Sequence, residues 1–152
     1  MFEYMRDASA PVSPSLISLI VCALSQELED NSKECEELGH VFGEKIAEEI
    51  AEAGKLKKNS SFIELCEVLT LEIVPEYFGE RPKYRSDVEH RAEWRIFFSG
   101  SKVLEYCSTD SFLSILRGVF VTIAQKILEI QIEVKKVPKE SLIIIIGESP
   151  LD

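Results

Sequence analysis

The side chains best suited to chemistry are four cysteines, Cys22, Cys35, Cys66 and Cys107, and two histidines, His40 and His90. The cysteines lie 13, 31 and 41 residues apart, with no C-x-x-C pair. A zinc site wants short paired spacings and a disulfide scaffold wants a denser set, so the pattern predicts free thiols in a reducing compartment. Cys66 falls on the apolar face of a helix, where burial suppresses the thiolate and leaves the group inert. Paired carboxylates such as Glu36-Glu37 and Glu48-Glu49 sit on a Glu-rich helix face, where they serve solvation. There is no G-x-S-x-G, no G-x-x-x-x-G-K-[ST], no H-E-x-x-H and no Gly-rich loop after a strand. The expectation is therefore no catalytic residue, no bound metal and no cofactor.

Composition narrows the class further. Of 152 residues, 45% are hydrophobic, which is too many for a disordered chain and enough for one compact domain. Lys and Arg number 17 against 27 Asp and Glu, a net charge of −10, which argues against nucleic acid as a main partner. A small basic loop, Lys55, Lys57 and Lys58, stands out against that background. Asn and Gln together number only five, a usage that leans towards a thermophilic source, although four cysteines lean the other way. Residues Met1–Ser13 lack a charged start followed by an apolar core, so no signal peptide is read. The longest apolar helix candidate, about Phe112 to Ile132, carries Arg117, Gln125, Lys126 and Glu129, so it reads as amphipathic and not as a transmembrane segment.

The elements that would position these residues follow from period and punctuation. Residues 1–13 read as a flexible tail, 14–148 as a single domain and 149–152 as a second tail. Ser13-Pro14 starts a first helix with apolar residues at Leu16, Ile17, Ile20, Val21, Leu24 and Leu28. Asn31 with Glu34 resembles a capping box for a second helix, whose stripe is Leu38, Val41, Phe42, Ile46 and Ile50 and whose stop is Gly54. Ser61 with Glu64 opens a third, with Phe62, Leu65, Cys66, Leu69 and Ile73 on one face. Residues 80–91 read as charged and irregular. Ala92, Trp94, Ile96 and Phe98 alternate with polar neighbours as a strand, and Val103 to Tyr106 reads as its returning partner. Ser108-Thr109-Asp110 caps a long helix. Ile130–Val137 and Leu142–Ile146 form a closing hairpin, and the last run, apolar on both faces, reads as a central strand. The fold class is α+β: three N-terminal helices and an antiparallel four-stranded sheet of two hairpins separated by one long helix.

Four placements follow. Gly39 and Gly43, four apart in a strong helix, each disfavour helix by about 1 kcal/mol relative to Ala, which predicts close packing against another backbone. Arg117 lies off the apolar stripe of the long helix, beside Gly118. Any lipid-sized cavity would lie between the third helix and the sheet, lined by Phe62, Cys66, Leu69, Trp94 and Ile96, with a close-packed core as the competing outcome. The apolar belt Leu16, Leu19, Ile20, Val21 and Ala23 goes beyond one stripe and predicts a dimer interface.

The segment Leu38-Gly39-His40-Val41-Phe42-Gly43, followed by Ile46 and Glu48-Glu49, resembles the glycine-bearing helix of the small subunits of the transport protein particle, TRAPP. Phe62 to Gly79, with Glu64 and Tyr77, is similar to the helix before that family's sheet, and Ser111 to Val119, with Leu116-Arg117-Gly118, to its long C-terminal helix. The resemblance spans about residues 14–147 with the order of elements kept. It implies a non-enzymatic scaffold or adaptor in vesicle tethering, pairing as a homodimer or with a paralogous subunit, in the cytoplasm and peripheral to membranes. The same superfamily holds a small-molecule-binding domain related to four-vinyl reductase, which implies the alternative of a homodimeric module binding a lipid or small apolar ligand in an internal cavity. That branch commonly carries cysteines near the final hairpin, and Ile130–Ile146 has none. One TRAPP subunit is acylated on a cysteine just before its third helix; the matching position here is Asn59, so acylation does not carry over.

Overall fold

The computed structural model describes residues 32–87, 92–100, 104 and 108–147. The first predicted helix, with Leu16, Leu19, Ile20, Val21 and Ala23, lies outside the described residues, as do Cys22, His90, Cys107 and the ends of the predicted domain.

Helix α1 runs Ser32–Glu52, and Gly54, at φ +72°, lies just beyond its end. Its buried residues are Cys35, Gly39, Gly43, Ile46, Ala47 and Ile50. This corrects the stripe read from the sequence, because Val41 is 64% exposed. The centre of the buried face falls on the glycines, which contribute backbone contact and little apolar area; a stripe drawn through the large side chains is rotated away from it. Leu56, inside the basic loop, is 2% exposed and belongs to the core.

A second helical rod has three sections: α2, Phe62–Val68, a π segment Leu69–Ile73, and α3, Val74–Phe78. Ser61 and Glu64 form a reciprocal capping box, with Ser61 Oγ accepting from the Glu64 N–H at 3.1 Å and Glu64 Oε1 accepting from the Ser61 N–H at 2.7 Å. The wide turn falls just before Pro75, which has no N–H and whose ring clashes with the carbonyl of a regular α-turn. Gly79, at φ +73°, closes the rod in the left-handed region.

Strands β1, Lys83–Asp87, and β2, Glu93–Phe97, form the first hairpin. Helix α4, Thr109–Ile123, continues as a π segment, Ala124–Leu128. It starts before Phe112, because Ser108 Oγ accepts from the Ser111 N–H, and it stops short of Ile132, because Glu129 turns left-handed at φ 58°. Strands β3, Glu133–Val137, and β4, Leu142–Ile146, form the second hairpin around the turn Pro138–Glu140. All pairings are antiparallel, in the order β1-β2-β4-β3. The domain is therefore α+β with two hairpins separated by a long helix, and the strand apolar on both faces is central.

The first hairpin is built from an unexpected segment. The partner of β2 is β1, drawn from the stretch read as irregular, and β4 occupies its other side. Both edges of β2 are thus taken, and the predicted partner, Val103 to Tyr106, lies outside the described residues except for Leu104, which sits in a helical turn. β1 is an edge strand whose described side chains Lys83, Tyr84, Arg85 and Ser86 are exposed, so burial imposes no apolar alternation on it.

Helix α4 is the centre of the molecule. Eleven of its residues are buried, because α1 packs on one side and β3 and β4 on the other. By length and composition Thr109–Leu128 is apolar enough to cross a membrane, but 72% of its most apolar window is buried inside the domain. Phe112 meets Phe98 and Phe78 edge-on, with centroids 5.5 Å and 6.0 Å apart. The inner sheet face, Trp94, Ile96, Ile143, Ile145 and Val134, closes the core.

Candidate functional site

The crossing of α1 and α4 is the most constrained contact in the fold. A Cβ on Gly39 would lie 2.1 Å from the Ile115 carbonyl oxygen, and one on Gly118 would lie 2.2 Å from that of Glu36. Gly43 faces Val119 and Thr122, with a Cβ there 2.8 Å from Thr122 Cβ. The two backbones touch, and no side chain fits between them. Polar groups seal the rim. His40 Nδ1 and Thr122 Oγ1 share a hydrogen bond of 2.6 Å, and Glu36 lies 3.8 Å from His40 Nε2 and 3.6 Å from Arg117 Nη1. Arg117 thus spans the two helices from a half-exposed position.

The five residues named for an apolar cavity come together. Cys66, Leu69, Trp94 and Ile96 belong to one buried cluster, with Phe62 packed on its margin. Trp94 Nε1 donates to Thr70 Oγ1 at 2.9 Å, which satisfies two buried polar groups at once. Burial pushes the Cys66 thiol well above its usual range, with the Glu67 charge adding to the shift, so it is a packed core thiol and no nucleophile.

One polar constellation escaped the sequence reading. Lys136 points inward from β3 and donates to Ser114 Oγ at 2.7 Å and to Asp110 Oδ1 at 3.1 Å. Ser32 Oγ donates to Asp110 Oδ2 at 2.6 Å, and Ser108 Oγ donates to Ser111 Oγ at 2.9 Å. Burial acts to raise the Asp110 carboxyl, but hydrogen bonds from Ser32 and Lys136, with the Lys136 charge, outweigh it and hold the group below its ordinary value. Cys35 borders this cluster; desolvation raises its thiol, partly offset by a hydrogen bond with Ser111. A serine beside a lysine is the pattern of a nucleophile and its base. Here Ser114 is 0% exposed, and Lys136 is engaged by Asp110 as well, so the cluster ties α1, α4 and β3 together with no path for a substrate. The signal available in sequence was Lys136 two residues from the inward Val134, a charge at an inward strand position.

Among the described residues, no group of three His, Cys, Asp or Glu side chains is placed to hold a metal ion. Two open grooves of about 400 and 390 Å³ meet at Glu44 and Lys126, whose ion pair of 3.8 Å divides them. Lys57 and Lys58 of the basic loop border the first, over a floor of Ala47, Ala51, Leu56 and Ile127; Lys58 pairs with Glu129 at 3.4 Å. On the outer side of α1, Val41 is exposed, while Leu38 and Phe42 beside it are half-buried and pack against the core. No family model matches this chain, and no curated protein matches it.

Proposed function

We propose that this protein is a non-catalytic assembly subunit, similar in role to the small TRAPP components of vesicle tethering, working in the cytoplasm through protein contacts. The observation that carries the reading is Val41, a large apolar side chain left 64% exposed on α1. It lies on the side of α1 away from the glycines that meet α4. An exposed apolar side chain on a packed helix is a point against which a partner helix can pack. The buried Ser114–Lys136 pair and the inert Cys66 support a role without turnover.

The test is purification of the tagged chain from its own cells, followed by intact-mass measurement. The expected result is a stoichiometric assembly that loses its partner copies on Val41→Asp. A chain recovered alone, or an assembly indifferent to Val41→Asp, would overturn the reading.

A further inference from the structure

The outward face of the sheet carries its charges in rows. Strand register places Arg85, Arg95, Ile144 and Lys135 side by side across β1, β2, β4 and β3. Two residues along, Glu93, Ile146 and Glu133 stand side by side on β2, β4 and β3. Alternation turns the charged members of both rows away from the core, since Trp94, Ile145 and Val134 between them are buried on the inner face; Ile146, between Glu93 and Glu133, is 6% exposed. Within each strand the rows are joined, Arg95 to Glu93 at 2.8 Å and Lys135 to Glu133 at 3.8 Å. Across strands, however, Arg85 stands directly opposite Arg95, a like-charge neighbour that a sheet alone does not favour. At the centre of the basic row, Ile144 is only half-buried.

We propose that a second copy of this chain docks on this face, related by a two-fold axis that runs across the strands between the two rows. That axis sets each strand over its own copy with direction reversed. Arg95 then meets Glu93 of the partner subunit, and Lys135 meets Glu133 of the partner subunit. Both facing pairs are opposite in charge. An axis along the strands would lay basic row on basic row, so the charge pattern selects one of the two in-plane orientations. Aligned sheets pack about 10 Å apart, within reach of Arg and Lys pairing with Glu. The patch is small, a few strands about 4.8 Å apart, so the contact is weak, concentration-dependent and salt-sensitive.

Sedimentation equilibrium of the full chain over rising concentration, in about 0.02 M and about 0.3 M salt, is the test. The expected result is self-association that weakens in the higher salt. Arg95→Glu with Lys135→Glu should weaken it about tenfold or more. The full exchange Glu93→Arg, Arg95→Glu, Glu133→Lys and Lys135→Glu should restore it, because the exchanged rows remain self-complementary and the pairs within each strand are kept. Restoration is a result that a merely structural role for these side chains would not give. Val41→Asp should leave this step intact, which separates it from assembly through α1. A wild-type chain with no association abolished by the charge reversal, or an exchange variant that is folded by circular dichroism and does not associate, would overturn the proposal.

Discussion

Gly39 and Gly118 show what a missing side chain does. Alanine is the better helix former by about 1 kcal/mol, yet a Cβ at Gly39 would sit 2.1 Å from a carbonyl oxygen of the crossing helix. Gly39→Ala should therefore lower stability by about 1–3 kcal/mol despite its propensity. Gly43→Leu should do at least as much. A urea melt with an unchanged midpoint for Gly39→Ala would mean the helices stand further apart. Asp110 gives a second test at this scale. Its folded-state pKa is depressed, so it contributes stability above the ordinary carboxyl value, near pH 4, and loses it as pH falls through the lower folded value. Asp110→Asn should flatten the acid limb of stability against pH below about 4 and leave its neutral shape unaltered; a wild-type acid limb in the variant would contradict the network. Cys35 and Cys66, both fully buried with raised thiols, should resist maleimide until the chain unfolds, as peptide mapping of the labelled sites would show.

At the scale of elements, the ends are held locally and the faces are not. The Ser61–Glu64 box depends on four residues of sequence and forms as they predict, so Ser61→Ala should destabilise by about 1 kcal/mol in the same melt. Gly54 and Gly79 take the left-handed conformation at or beyond helix ends for the same local reason. By contrast the buried face of α1 is chosen by α4. A stripe of large apolar residues runs through Val41, whereas the contact runs through Gly39 and Gly43. β1 is chosen by β2: Lys-Tyr-Arg-Ser-Asp has no strand pattern of its own, but it pairs in full register, and Tyr84 stacks on Trp94 at 4.9 Å.

At the scale of the molecule, α4 does what no surface helix does. It is apolar nearly all round because α1, β3 and β4 surround it, which is also why it passes a composition test for membrane spanning. The protein should accordingly purify from the aqueous fraction of a lysate without detergent. Recovery only from the membrane pellet would mean that this helix is free to leave its packing. An inward charge at its side, Lys136, is matched by Asp110 and Ser114 from α4 itself.

The α+β class, the caps at Ser61 and Ser108 and the central place of Leu142–Ile146 are legible in the sequence, because each rests on neighbours in the chain: an N-cap and its third residue, a run apolar on both faces. The sequence also marked Gly39 and Gly43 as sites of close approach, since two glycines in a helix have no local use. What approaches them, which side of α1 is buried, which segment partners β2, and the joining of Ser32, Asp110, Ser114 and Lys136 in one network are set by packing. Those outcomes depend on pairs of residues far apart in the chain, such as Ser32 with Asp110, and on a helix packing whose geometry no single segment encodes.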